Sequence, residues 1–329
     1  MNIANPIYDV VFKYLMEDKR VAKLIISSLT NLDVQELELR PTEYHREDPG
    51  KNNFTVYRMD FAAQVKTPSG TKLVLIEIQK AKFATDIMRF RRYLGSQYSN
   101  PDNCICVNKN GKQQKVGEPL FTIYFLGHYL EFGDTPVIKV KRSCIDASTN
   151  TVLCGQSDFI ESLTHDSVVV QIPALKNKRR NKLEELLSVF DQDLTASDDK
   201  HSIQLSETEY PDEFKCIFRR LLKAGAEPEM RKNMNIEDEI LEELEEKERM
   251  IADLGEQAEE AITAQAKAEA KTKEAKEQTK QAKEQTKQAE AKTKQAEVQA
   301  KQAENTNKQL VEMLRKAGVS EEDIQKQLK

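Results

Sequence analysis

The chain has 329 residues and no Trp, and its 50 Lys/Arg against 55 Asp/Glu give a net charge of −5. That length holds one or two globular units, and the overall acidity excludes a chain that coats nucleic acid through bulk positive charge, so any such field must come from local basic clusters. The five cysteines (Cys104, Cys106, Cys144, Cys154, Cys216) form no C-x-x-C pair or zinc spacing, and no apolar run approaches the ~18 residues of a membrane span, so a soluble cytoplasmic protein with reduced thiols is expected.

The opening MNIANPIYDVVFKYL lacks the basic segment and long apolar stretch of a signal peptide. Asn5-Pro6 reads as a helix start, an N-cap residue with Pro behind it. Two short helices are predicted over about 6–16 and 19–30, the second with Val21, Leu24, Ile25 and Leu29 on one face. Residues 54–65 alternate: Met59, Phe61, Ala63 and Val65 face one way, Asp60, Ala62 and Gln64 the other. Thr67-Pro68-Ser69-Gly70 suits a turn. Residues 72–79 return with Val74, Ile76 and Ile78 on one face and Leu73, Leu75, Glu77 and Gln79 on the other, which makes an antiparallel hairpin. A helix follows over 83–99, with an apolar stripe of Phe83, Ile87, Phe90, Leu94 and Tyr98. Strands are predicted at 103–108, 120–126 and, more weakly, 136–142, and helices at 156–164 and 178–192. Cys104 and Cys106 share one strand face, where they fit as small buried groups. This order of elements predicts a mixed α/β domain.

Composition divides the chain at about residue 195. Residues 1–195 carry a net charge of +2 and residues 196–329 a net charge of −7. Residues 196–255 read as a loop to about 212 and then an acidic helical region from near Asn235. Residues 256–310 are nearly all Ala, Lys, Glu, Gln and Thr, with a seven-residue repeat over 275–309 that puts Thr279, Thr286 and Thr293 at one core position and Ala282, Ala289, Ala296 and Ala303 at the other. Small core residues bury little surface, at about 0.8 kcal/mol per CH₂, so self-association through this coiled-coil-like helix is expected to be weak. Residues 311–329 read as a short helical tail, with Ser320 as an N-cap.

The hairpin carries the chemistry. Its tightest register opposes Phe61 to Ile76 and Asp60 to Glu77, which brings two carboxylates within about 4.5–5.5 Å at Cβ. Such a pair repels itself unless a cation lies between, and a hard divalent ion suits it. A bulge at Gly70 would shift the register by one and separate them. Asp60 followed by Glu77-Ile78-Gln79, with a hairpin between, resembles the PD-(D/E)xK nucleases, and within them the nuclease-family transposases and recombination-promoting nucleases, which commonly carry E-x-Q. Asp9-x-x-Phe12-Lys13-x-Leu15 is similar to their opening helix, and Arg89-Phe90-Arg91-Arg92-Tyr93 to the helix after the motif. Residues 159–166, 183–192 and the C-terminal LRKAGVSEED also look like this family.

The resemblance implies a restriction-endonuclease-like core, with a mixed central sheet flanked by helices, ahead of the long C-terminal helix. It implies Mg²⁺, or Mn²⁺ in its place, held by Asp60 and Glu77 with the Ile78 backbone carbonyl. Asp9 either adds a carboxylate or simply pairs with Lys13 at i+4. Gln79 stands where Lys is usual and carries no charge. Arg89, Arg92, Tyr93, Lys80 and Lys82 are the candidate contacts to double-stranded DNA, and Arg89, Tyr93 and Gln97 make one polar stripe. A second basic cluster, Lys176, Lys178, Arg179, Arg180 and Lys182, either tracks a phosphate backbone or is solvated surface. The expected function is a metal-dependent DNA endonuclease linked to recombination or mobile elements. The rival is a nuclease-like DNA-binding or adaptor protein without cleavage, assembled through its C-terminal helix.

Overall fold

The structure is a computed structural model. It describes residues 1–47, 54–82, 86–109, 111–155, 157–206, 208, 210–318 and 320. The expected Phe83 of the apolar stripe and the helix beyond Ser320 lie outside the described residues.

In chain order, β1 (Asn2–Ala4) leads into α1 (Asp9–Glu17) and α2 (Lys19–Thr30). Both helices begin later than or near the positions read from the sequence. Asn5 does not cap α1; its Oδ1 accepts from the Ile7 N–H at 3.2 Å and its Nδ2 donates to Gln192 Oε1 at 2.8 Å, tying down a turn. Next come β2 (Glu36–Leu39), β3 (Glu43–Glu47), β4 (Phe54–Arg58), β5 (Phe61–Thr67) and β6 (Gly70–Gln79). The predicted strand 54–65 is therefore two strands, with Met59 and Asp60 between them outside the ladder. The break changes the phase of the alternation: Phe61, Ala63 and Val65 enter the main core, whereas Met59 joins the opposite face with Ala62.

After β6 come α3 (Asp86–Ser99), β7 (Cys104–Lys109), β8 (Lys112–Gly117), β9 (Leu120–Leu126), β10 (Val137–Val140), β11 (Ile145–Asp146), β12 (Thr151–Val152) and α4 (Asp158–Leu163). Then β13 (Asp166–Gln171), α5 (Lys182–Leu187), β14 (Thr195–Ala196), β15 (Asp199–Gln204), α6 (Lys215–Ala226) and α7 (Pro228–Lys316) complete the order. The strand expected at 103–108 forms a separate hairpin, β7 with β8, and Cys106 on it is exposed rather than buried.

The central sheet has six strands in the order β10-β13-β9-β6-β5-β2. Its β13–β9 and β9–β6 pairs are parallel and the others antiparallel, so it is mixed. One face carries Val74, Ile76, Ile78, Ile123, Phe125, Val168 and Val170 against the apolar faces of α1, α2, α5 and α6. The other carries a smaller cluster, Leu73, Leu75 and Leu120 under Tyr93 of α3. Burial on both faces explains the near-continuous apolar runs in β6 and β9. The same reasoning fits Val168-Val169-Val170 in β13, a strand that the sequence reading left unassigned between two helices.

Residues 195–204 are not a loop but hold β14 and β15. In β15, His201 and Ile203 are buried while Ser202 and Gln204 are not, and β15 pairs with β1 and β14. Ile217, Phe218, Leu221, Met230 and Met234 belong to the main core. The first compact unit accordingly runs from Met1 to Glu248, and the second from Arg249 to Lys329. The second unit is helical through Lys316, with its side chains almost all exposed. Thr272, Thr279, Thr286 and Thr293 each donate back to the carbonyl four residues earlier, at 2.7–3.0 Å. Among the described residues no helix is long and apolar enough to cross a membrane.

Candidate metal centre

The hairpin adopts the register read from its sequence, with Phe61 opposite Ile76 and the strands closing at Thr67 opposite Gly70. Asp60 therefore sits at the open end of the hairpin, across from Glu77. Its Oδ2 accepts from the Ile78 N–H at 2.7 Å. The Asp60 carboxylate is thus tied to the residue after Glu77 by a backbone bond that this register supplies. Asp9, the first residue of α1, stands close enough for its charge to bear on the Asp60 carboxyl. Lys13 Nζ lies 2.6 Å from Asp9 Oδ2 and 3.6 Å from Asp60 Oδ1. Asp9 is thus the i+4 partner of Lys13, and it lies beside Asp60. Arg89 of α3 places Nη2 3.0 Å from Glu77 Oε1, and Glu77 is only 2% exposed.

The cluster is short of positive charge. Burial, then the Glu77 and Asp9 charges, hold the Asp60 carboxyl well above its usual range, with Lys13 opposing. Burial pushes Glu77 up to about 7, with Arg89 opposing and Asp9 adding to the rise. Glu237 of α7 is also raised by burial to about 7; its carboxylate accepts from the Asp9 N–H at 2.9 Å and the Val10 N–H at 2.8 Å, bonds that oppose the rise. This carboxylate, not a local side chain, satisfies the first free donors of α1. Asp9 Oδ1 and Glu77 Oε2 are buried with no hydrogen-bond partner. Orphaned anionic oxygens are costly in an interior, and a hard cation is the group that suits them. Among the described residues no three or more His, Cys, Asp or Glu side chains converge tightly enough to enclose an ion; Lys13 and Arg89 stand among the acids instead. The donor set nevertheless fits a divalent ion, because its two orphaned oxygens belong to acids whose charges act on Asp60.

The cleft over these acids has about 300 Å³ of space and is also lined by Gln79 and, from α7, by Ile240, Leu241 and Leu244. Ile78 borders it with its N–H committed to Asp60 and its side chain in the core. The Gln79 carbonyl accepts from the Gly127 N–H at 2.7 Å. A Cβ on Gly127 would stand 2.1 Å from the Lys80 carbonyl oxygen, so the turn after β9 touches the end of β6 backbone to backbone.

Several expected nucleic-acid contacts are engaged elsewhere. Lys80 turns back to Asp238 of α7 and lies 3.7 Å over the Tyr8 ring. Asp238 also receives Lys200 at 3.0 Å, His201 Nε2 at 2.9 Å and the Tyr8 hydroxyl at 3.1 Å. Burial raises this carboxyl, yet those bonds, Lys80 first, hold it far below the usual range. Tyr93 is 3% exposed and packs on Leu73 and Leu75, and Gln97 accepts from Asn103 Nδ2 at 2.8 Å. Of the polar stripe, Tyr93 and Gln97 are buried and Arg89 is half exposed, while Ile87 and Tyr98 of the expected apolar stripe are exposed and Phe90 is buried. Lys82, Arg91 and Arg92 are exposed. In the second basic cluster, Lys176 pairs with Asp193, Lys178 with Asp134, Arg179 with Asp191, Arg180 with Glu184 and Lys182 with Glu213.

Sequence reasoning missed Glu237 and Asp238, which it read as part of a solvated acidic run. It also took Lys13 only as the partner of Asp9. No family model matches the chain, and no curated protein or solved structure does either.

Proposed function

We propose that the chain is a divalent-metal-dependent nuclease that hydrolyses DNA phosphodiester bonds, with a PD-(D/E)xK-type, restriction-endonuclease-like core and a role in recombination or mobile elements. One observation carries this reading: Glu77, 2% exposed, and the largely covered Asp60 crowd beside the partly exposed Asp9, and one buried oxygen each of Glu77 and Asp9 lacks a partner. Folding gains nothing from crowding acids in an interior, and such clusters concentrate where function needs them. The mixed sheet, with the acids where an antiparallel hairpin joins a parallel strand, supports it.

In this reading Asp60 and Glu77 would hold Mg²⁺ or Mn²⁺, and Asp9 and the Ile78 carbonyl would be the further donors. When bound there, the ion would supply Lewis-acid polarisation of the phosphate and a lowered pKa for its water. The protein does the rest. The Ile78 N–H fixes the Asp60 rotamer. The Glu237 carboxylate anchors the start of α1 and with it Asp9. Lys13 brings to the cleft the positive charge that strand β6 lacks, and Arg89, half exposed, turns from Glu77 toward a phosphate oxygen. Gln79 orients the attacking water through its amide. Lys82 and Arg92 touch flanking phosphates.

A second reading has an observation of its own. Lys13 and Arg89 already pair with the acids, as they would permanently in a nuclease-like DNA-binding or adaptor protein that does not cut. Supercoiled plasmid incubated with the protein, with and without Mg²⁺ or Mn²⁺, separates the two. Nicking that needs the ion and is lost in both Asp60→Ala and Glu77→Ala is the result expected. Cleavage unchanged in either variant excludes this metal site, and retention of plasmid without cleavage favours the adaptor.

A further inference from the structure

The lining of the cleft is half ionic and half aliphatic. Against the acids, Lys13 and Arg89 stand Ile7, Ile240, Leu241 and Leu244. Ile240 is 51% exposed and Leu244 40% exposed, so neither adds much to the core. A duplex presents its phosphates outward and keeps its base faces stacked inside. A groove built for it is lined by cations, because neutralised phosphates supply most of the affinity. Here the cations that could extend such a groove hold carboxylates of this same chain: Lys80 on Asp238, and all five of the 176–182 cluster on theirs. The exposed cations of α3 and its approach, Lys82, Arg91 and Arg92, serve a footprint of a few phosphates. The space, about 300 Å³, is at the lower end of the roughly 300–1,000 Å³ of small-molecule pockets. It matches a nucleotide rather than a double helix.

We propose, resting on the nuclease reading above, that this site takes an unpaired DNA strand: a single-stranded segment, a flap or a splayed end. The scissile phosphate lies at Asp60 and Glu77, and the neighbouring base packs its face against Ile240 and Leu244 of α7. An unpaired base has a face to offer and a stacked one has not, and packing of this kind tolerates every sequence. The duplex that the family resemblance leads one to expect is then cut only where it opens.

The test is single-turnover cleavage in Mg²⁺ or Mn²⁺ by the full chain of three fluorescent DNAs: a single-stranded oligonucleotide, its blunt duplex, and that duplex with an unpaired flap. Binding in Ca²⁺, by anisotropy, runs alongside. The expected order is single strand and flap well ahead of blunt duplex, with flap cutting confined to the unpaired arm or its junction. Ile240→Ala with Leu244→Ala, two exposed positions, lowers single-strand binding about tenfold, the loss of about 1.4 kcal/mol of contact, and brings the preference for single strands toward unity while circular dichroism stays unchanged. If the protein cuts all three DNAs alike and the double variant matches the parent, with Asp60→Ala dead, the substrate assignment falls and the nuclease reading stands. If parent and Asp60→Ala behave identically on every DNA, both fall.

Discussion

Asp60 and Glu77 share one small volume with Asp9 and Glu237, and three of these four carboxyls are held above their ordinary range. A carboxyl whose folded pKa is raised stabilises the fold fully below its unfolded pKa, and that stability is lost as pH rises through the folded pKa. Without metal, the protein should therefore lose stability between roughly pH 4.5, the ordinary Glu value, and about 7 for Glu77. Metal needs the ionised acids, so its binding should tighten over the same interval and release protons. Thermal melts with and without Mg²⁺ across this range check it: a metal-induced rise in Tm that does not grow toward pH 7 counts against the assignment. Asp60→Asn keeps an acceptor for the Ile78 N–H and removes a buried charge, so it should melt about 2–4 °C higher per kcal/mol gained and no longer respond to Mg²⁺. Gln79→Ala should cut about 10²–10³ times more slowly while folded, and Gln79→Lys should keep substantial activity; a Gln79→Ala protein as fast as the parent removes this amide from the mechanism. The Asp60–Glu77 pairing was legible because alternation and turn chemistry fix a hairpin register. The fate of Lys80 was not, because its partner Asp238 lies 158 residues away. A lysine after a strand looks the same whether it meets solvent or a distant acid.

At the level of elements, the base of α7 joins the two segments that carry the acids. Glu237 binds the start of α1 and Asp238 binds the residue after Gln79. Losing the two bonds to α1 in Glu237→Ala should cost about 0.5–2 kcal/mol, as for a helix cap, and should weaken metal binding through Asp9. Asp238→Ala leaves Lys80 and Lys200 facing each other beside His201 without their anion, and should cost about 3–5 kcal/mol; urea unfolding of both variants measures the difference. Asp238 is depressed in the folded state, so its contribution is present above the ordinary carboxylate range and is lost only as pH falls through its folded value. Acid unfolding of the parent should show this loss and Asp238→Ala should not. The orientation of α3 shows why one helix misleads. Both its faces carry apolar residues, and which one is buried depended on Leu73, Leu75 and Asn103, to which Tyr93 and Gln97 dock. Local periodicity contains no information about that partner surface.

Across the whole molecule, the first unit needs more chain than its composition shows. Ile203, Phe214, Phe218, Leu221 and Met234 are all buried in the main core, and each lies beyond residue 195, in a stretch whose polar neighbours masked its alternation. A fragment 1–255 should fold cooperatively, whereas 1–195 should be insoluble or unfolded. Far-UV circular dichroism and sedimentation of both fragments decide this, and a folded 1–195 would show the later residues to be dispensable. The change of composition that suggested a boundary near 195 marks where aromatic residues thin out, not where packing stops. The helical reading of the tail was legible from Ala, Lys, Glu and Gln alone, since helix propensity needs no tertiary partner.

Gly127 has no ionisable group and lies outside the motif, yet it gives β6 its place. With any side chain there, the Lys80 carbonyl has to yield, and Gln79 and Glu77 ride on the same strand. Loss-of-function screens should therefore return this glycine together with the acids, and sort it from them by metal titration: an acid variant loses the ion's ligand, whereas a Gly127 variant keeps every ligand and loses their alignment. A replacement that looks conservative on paper, one methyl group on a surface turn, would be among the most damaging single changes the chain can suffer.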